Sequence, residues 1–563
     1  MKFSEMPYKR PDIDEARREL GEIRDCLRGA DSVEVQLDAI ARYLELTGHF
    51  ETDATLAYVR HTIDTRDEYY DAENSFFDEN GPLLAELNHE IERALLNSPF
   101  RAQLEEKFGK LLFTNLEIAA RCFKPEMVEL MQEENRLKSE YQNLYASAMV
   151  DFDGQTMPLP KLGPYKQSTD RSVRKSAYEA EGKFFDDNRE ALDALYDKLV
   201  KNRTAQAKIL GHDNYLRLGY DLLGRNCYGA DKVAEFRGQI ARDLVPIVSR
   251  MKDAQRERLG VESMKMWDDT LLFPDGNPVP HGTTDDILAA GLEMYRGLSS
   301  ETAEFINHMY ENELLDVLSR EGKAPGGYCT TIFDYRSSFI FSNFNGTAGD
   351  VDVLTHEAGH AFAGYRAMKN GIILPLLSPT MEACECHSMS MEFLTAPYHH
   401  LFFKEDTRKY ELAHCEESLT FIPYGCMVDE FQHRMYENPD LTPEERNAVW
   451  FELEKKYRPW IDFGDLPFYG RGAGWQRQLH IYLYPFYYID YCMAQTVAFQ
   501  FWMASLENRE DAWRRYLDFA DKGGKFTFEE LVHGAGLKLP YDTGCIASVG
   551  GAVERWLKEN TVK

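Results

Sequence analysis

The sequence predicts a mainly α protein with one small β-sheet. Three observations carry this. Apolar residues recur at three- and four-residue steps through most of the chain, β-prone runs are few and short, and Gly/Pro breaks are sparse before residue 151. In residues 12–49 the apolar positions Ile13, Ala16, Leu20, Ile23 and Leu27, then Val35, Leu37, Ile40, Tyr43 and Leu44, alternate with charge, as on an amphipathic helix. Helical patterns continue over about 52–98 and 102–150, the latter dense in Glu and Lys at pairing distances. Asp151 to Pro160 breaks the pattern and predicts a hairpin or loop. Helix resumes from Arg171 to about 211 and again over about 229–259. Strand propensity is confined to Thr270–Phe273, Tyr328–Phe333 and Ser338–Phe344. The last two predict a small sheet just before the most informative segment.

The chain has 563 residues, 44% of them hydrophobic, which suffices for a large core and excludes disorder as the main state. Its net charge of −30 argues against nucleic acid or an anionic membrane as partner, because both require basic patches. No stretch has the roughly 18 consecutive apolar residues of a membrane span, and the N-terminus lacks a signal-peptide core. The 10 cysteines form no Cys-x-x-Cys pair, so a reducing, cytoplasmic setting is expected rather than a disulfide scaffold. We divide the chain into an N-terminal helical domain, 1–200, and a catalytic domain, 201–563.

The chemistry concentrates in His356-Glu357-Ala358-Gly359-His360. On a helix, positions i and i+4 lie about 40° apart, so two imidazoles can grip one ion while Glu357 stands beside a water. An extended motif with Gly and His further along fails, since those positions hold Ala363 and Arg366. A third ligand is sought downstream, where Glu385 and Glu392 lie seven residues apart on one helical face. Cys384, Cys386 and His387 are alternative ligands, but Cys-x-Cys side chains diverge on a helix.

With these residues in view, the sequence resembles the thimet oligopeptidase / oligoendopeptidase F family of zinc peptidases, closest to the Pz-peptidase and oligoendopeptidase F-like branch. The resemblance includes Pro325-Gly326-Gly327-Tyr328-Cys329, Asn343-Phe344-Asn345-Gly346, and Asp350 through His360. It continues to Glu385 and Glu392 and covers roughly residues 200–563 well. It implies a large helical ellipsoid with a small sheet near the active site and a deep substrate channel. It also implies one Zn²⁺ per chain, held by His356, His360 and Glu385, with Glu357 as general base acting on short peptides. Many members carry a further His where this chain has Ala363; that position is not a ligand.

A second constellation follows Gly470-Arg471-Gly472-Ala473-Gly474-Trp475, a glycine-rich run without the spacing of a phosphate loop. In the resembling family a His and tyrosines of this region stabilise an oxyanion. The best matches are His480, Tyr484 and Tyr491, with Tyr487 and Tyr488 as rivals and core packing as the competing use. The strand Ser338–Phe344 is expected to offer an edge to an extended peptide. Alternatives are a zinc peptidase releasing terminal dipeptides and a non-catalytic zinc-stabilised peptide-binding protein.

Overall fold

The structure, a computed structural model, describes residues 1–324 and 326–561. Pro325, part of the Pro-Gly-Gly run singled out above, lies outside the described residues. Helices dominate, and two small sheets accompany them. No helix among the described residues is long and apolar enough to cross a membrane.

The chain gathers into two compact units. The first comprises residues 1–121, 279–407 and 500–537; the second comprises 122–278, 408–499 and 538–563. The expected boundary between residues 200 and 201 falls inside the helix Arg189–Ile209 of the second unit.

Helix ends follow local chemistry. The pattern over 12–49 is two helices, Ile13–Gly29 and Val33–Ile63, because Ser32 accepts a hydrogen bond from Val35 N and starts a new helix. In turn, Asp67 caps the helix Glu68–Leu96. Ala16, Leu20, Ile23 and Leu27 pack with Leu84, Ile91 and Leu95 to form a core of the first unit.

The segment 149–158 is a two-stranded hairpin, with Asp153 and Gly154 both at positive φ, the geometry of a tight primed turn. Thr270–Phe273, expected as a strand, is not one. Asn277 donates to Thr270 O and accepts from Leu272 N, while Gln255 donates to Leu271 O, so side chains occupy the backbone groups a ladder would use.

The three-stranded sheet places Ser337–Phe344 in the middle, with Leu315–Leu318 parallel on one side and Tyr328–Ile332 antiparallel on the other. Ser338–Phe344 therefore has both edges taken and cannot accept a peptide by edge addition. The edge strand nearest the motif in sequence is Tyr328–Ile332, half-buried except for Ile332. The central strand feeds the helix Gly349–Lys369, and the helix Met381–Leu394 packs against that helix at very close range. A Cβ on Gly359 would lie 2.6 Å from Ser388 Cα and 2.8 Å from His387 O, both backbone atoms that cannot swing aside.

In the second unit Arg203 is a fully buried cation. It donates to Glu134 Oε1 at 2.9 Å, Tyr436 Oη at 2.8 Å and Tyr482 O at 2.6 Å. Burial opposes the Glu134 carboxylate, but Arg203 and Lys138 outweigh it and hold its pKa at about 2.

Two predictions follow from this packing. Gly359→Ala overpacks a backbone-to-backbone contact and is expected to cost about 1–3 kcal/mol, read as a fall in thermal midpoint. A wild-type midpoint in that variant would mean the helices tolerate more separation than the structure shows. Because the folded Glu134 value lies below its ordinary 4.5, its stabilising effect is complete above about pH 5 and fades as pH falls towards 2. Glu134→Gln is expected to flatten the stability profile in that window and to lower stability above it, since Arg203 loses its counter-ion.

Candidate metal centre and catalytic residues

The motif helix is positioned from its first turn. Asp350 accepts from Asn345 N at 2.9 Å and Gly346 N at 2.7 Å, fixing the bend between the central strand and the helix. Gly346 has φ 84°, a conformation that suits glycine. Further along, Arg366 forms a two-pronged pair with Asp521, at 2.7 and 2.5 Å, tying the helix to Arg509–Lys522. Across the helix pair, Tyr516 donates to His387 O at 2.8 Å and holds Met381–Leu394 in place.

Within this frame, donor atoms of His356, His360 and Glu385 all lie within 4.8 Å of one another. Nε2 of His356 is 3.4 Å, and Nε2 of His360 3.5 Å, from Glu385 Oε2. Glu392 meets Nδ1 of His356 at 2.7 Å. That contact selects the tautomer whose Nε2 lone pair is free to face a cation. Ser388 Oγ lies 3.2 Å from Glu385 Oε2 and steadies the carboxylate. Two turns of helix separate Glu385 and Glu392, as their spacing predicts.

The electrostatics ask for positive charge. Burial opposes the Glu385 carboxylate, yet His360 and His356 hold it well below the ordinary range. His356, which burial alone would keep neutral, is driven upward by Glu385 and Glu392. Burial pushes Glu357 up, against the two neighbouring imidazoles, so its carboxylate is a stronger base than a solvated one. Two imidazole nitrogens and a carboxylate, with further carboxylates around them, form a donor set that fits a divalent cation.

The alternative ligands are not brought to this cluster. Cys386 is fully buried, and burial raises its thiol well above the ordinary value. His387 faces the Phe519 ring, and burial lowers its pKa to about 3. At the failed extended-motif positions, Ala363 is buried and Arg366 is spent on Asp521.

The C-terminal constellation lies in the second unit. His480 is ringed by Tyr488 at 4.8 Å, Tyr491 at 5.9 Å, Tyr487 at 6.0 Å and Tyr484 at 6.1 Å between centroids. Its Nδ1 lies 3.0 Å from Gln478 Nε2. Tyr484 is half exposed, whereas burial drives the Tyr488 phenol far up. The glycine-rich run packs rather than binds: a Cβ on Gly472 would strike Asn447 O, and Trp475 is fully buried.

Sequence reasoning missed Gly359, Arg366, Tyr516 and Asp521 as positioning residues. Only Gly359 carried a local signal, since Ala358-Gly359 between two ligands leaves room for another helix.

Known proteins resemble this chain along most of its length. The Peptidase M3 N-terminal domain profile matches residues 3–123, and the Peptidase family M3 profile matches 164–274 and 293–550. An oligoendopeptidase F homolog of Borreliella burgdorferi is 21% identical over 71% of this chain and 70% of its own length. The chromosomal oligoendopeptidase F of Lactococcus lactis is 22% identical over 67% of this chain and 62% of its own. Among solved structures, Pz peptidase A with an inhibitor has 48% identity and TM-score 0.95, over 99% of both chains. A putative oligoendopeptidase F from Bacillus anthracis has 43% identity and TM-score 0.90, over 99% of this chain and 98% of that one. The profile match spans well over half the sequence, and the chain belongs to peptidase family M3.

Proposed function

We propose that the protein is a zinc-dependent oligopeptidase that hydrolyses internal bonds of short peptides. The observation that carries this is the convergence of His356, His360 and Glu385 with the raised Glu357 carboxyl beside them. One zinc ion would be held by those three side chains and would supply Lewis acidity to a scissile carbonyl and to water.

The chain's own residues account for the proton traffic. A Glu357 carboxylate oxygen takes a proton from the attacking water and returns it to the leaving amine nitrogen. Its burial raises its basicity, which suits the first half of that task. Glu392 keeps His356 in the ligating tautomer. His480, Tyr484 and Tyr491 are assigned as donors to the developing oxyanion on the family resemblance, with Tyr487 and Tyr488 as structural neighbours. The edge strand Tyr328–Ile332 takes the place first expected of Ser338–Phe344 and would pair with the peptide main chain. None of the 10 cysteines is in a disulfide, which suits a reducing compartment, the cytoplasm.

Cleavage of an internally quenched peptide of about ten residues, mapped by mass before and after chelation, tests the reading. Internal cleavage lost with chelator and restored by zinc supports it. Release of dipeptides from the C-terminus alone would replace it with a dipeptidyl carboxypeptidase. Bound zinc with no cleavage would leave a binding protein.

Two substitutions separate the roles. Glu357→Gln is expected to lower kcat by about 10²–10⁴-fold while zinc content stays at about one per chain; loss of zinc as well would make Glu357 structural. Glu385→Ala is expected to empty the site, and Glu392→Gln to weaken zinc binding by about 10–100-fold, both measured by metal titration. Unchanged zinc affinity in Glu385→Ala would point to another third ligand.

A further inference from the structure

Beyond the metal centre, the edge strand leads to a second recognisable site. A cleft of about 330 Å³ is lined by Phe333, Asp334 and Arg336 on one stretch of chain and by Met368, Gly371, Ile372 and Ile373 on another. Both walls continue from the catalytic elements. Phe333–Arg336 directly follows the edge strand Tyr328–Ile332, and Met368 belongs to the last turn of the motif helix.

The strand runs alongside the middle of the helix, from Val353 to Gly364. A Cβ on Gly327 would lie 3.8 Å from Val353, and a Cβ on Gly364 would lie 3.7 Å from Thr331 Oγ1. Between these points Glu357, four residues after Val353, comes level with Tyr328 and Cys329. From Cys329 to Phe333 is about 13 Å of extended chain at roughly 3.3 Å per residue. From Glu357 to Met368 is about 16 Å of helix at 1.5 Å per residue. The two measures agree, so a peptide paired along this edge with its scissile bond beside Glu357 would reach the cleft with a residue about four or five positions away.

The cleft has one uncompensated charge. Asp334 is engaged, its carboxylate 2.7 Å from His49 Nδ1 and its backbone N donating to Thr52 Oγ1 at 3.0 Å. Arg336 enters no ion pair or side-chain hydrogen bond among the described residues. It also holds φ 47°, ψ 43°, a left-handed conformation that is uncommon for a residue other than glycine, asparagine or aspartate. Held strain combined with an unpaired guanidinium over apolar walls is the pattern of a recognition position.

We propose that this cleft is a distal specificity subsite, in which Arg336 binds a carboxylate carried by the peptide substrate about four or five residues from the scissile bond. The ligand chemistry is a carboxylate on a short apolar stem, met either by a glutamate side chain or by the peptide's own C-terminus. The inference rests on the peptidase reading and on edge pairing along Tyr328–Ile332.

The experiment is a position scan with quenched peptides that carry Glu or Gln at each site on either side of a fixed scissile bond, each with a free or amidated C-terminus. Glu at one position four or five residues out is expected to raise kcat/KM about ten-fold, mainly through KM. If the free terminus is the ligand, the gain appears instead as a loss on amidation in peptides ending at that position. Arg336→Gln should abolish the gain and leave the uncharged peptide cleaved at the wild-type rate; Arg336→Lys should restore part of it. A Glu/Gln ratio near one at every position in the wild type, with no effect of amidation, overturns the proposal, as does a preference that survives in Arg336→Gln. If no peptide is cleaved, the peptidase reading fails instead, and binding of the same Glu and Gln peptides, followed by fluorescence anisotropy, decides the cleft by the same ratio.

Discussion

Two imidazoles from one helix and a carboxylate from another can share a point only where the helix backbones nearly touch. Gly359 makes that approach possible. It lies between the two motif histidines, and the space its missing side chain leaves is filled by Ser388 and His387 of the second helix. Glu385, one turn back from Ser388, thereby comes within 3.5 Å of both Nε2 atoms. The remaining order around the site supports this contact. Asp350 sets where the first helix begins, Arg366 pins its far half, and Tyr516 holds the second helix by a backbone carbonyl.

The charge arrangement depends on the same approach. Bringing Glu385 and Glu392 against His356, with Glu357 half-buried beside them, concentrates negative charge at one point. Such a site is costly without a cation, and its protonation pattern shows it: the imidazole is driven towards its charged form by the carboxylates beside it. A bound divalent ion would satisfy the same field and release the imidazoles to act as neutral ligands. The placement of the candidate base and candidate ligands thus follows from one packing contact.

Much of this was legible in the sequence, for physical reasons. Helical periodicity is local, so the helices were readable even where the break at Ala30–Ser32 was not. The pairing of His356 with His360 was readable because spacing on a helix is fixed by its pitch, whereas Glu385, on a separate helix, was singled out only by the family resemblance. What failed was non-local. Ser338–Phe344 and Tyr328–Phe333 were both recognisable as strands, but strand order depends on the parallel partner Leu315–Leu318, whose short run gave no clear signal. Thr270–Phe273 has β propensity, yet Gln255 and Asn277 claim its backbone from elsewhere in the chain. Arg366 and Asp521 are separated by 155 positions, and nothing near either one announces the other.

The interleaving of the two units has a consequence for how the protein comes to exist. The unit that carries the motif draws on three stretches, the last ending at residue 537. Tyr516 and Asp521, which secure the two ligand helices, belong to that last stretch. A chain emerging from the ribosome therefore exposes its histidines and Glu385 well before the residues that lock them have been made. During that interval the ligands hang on helices whose apolar faces lack their final cover. The candidate metal centre is in this sense secured from later residues backwards, since its two helices gain their ties only once Tyr516 and Asp521 have been made.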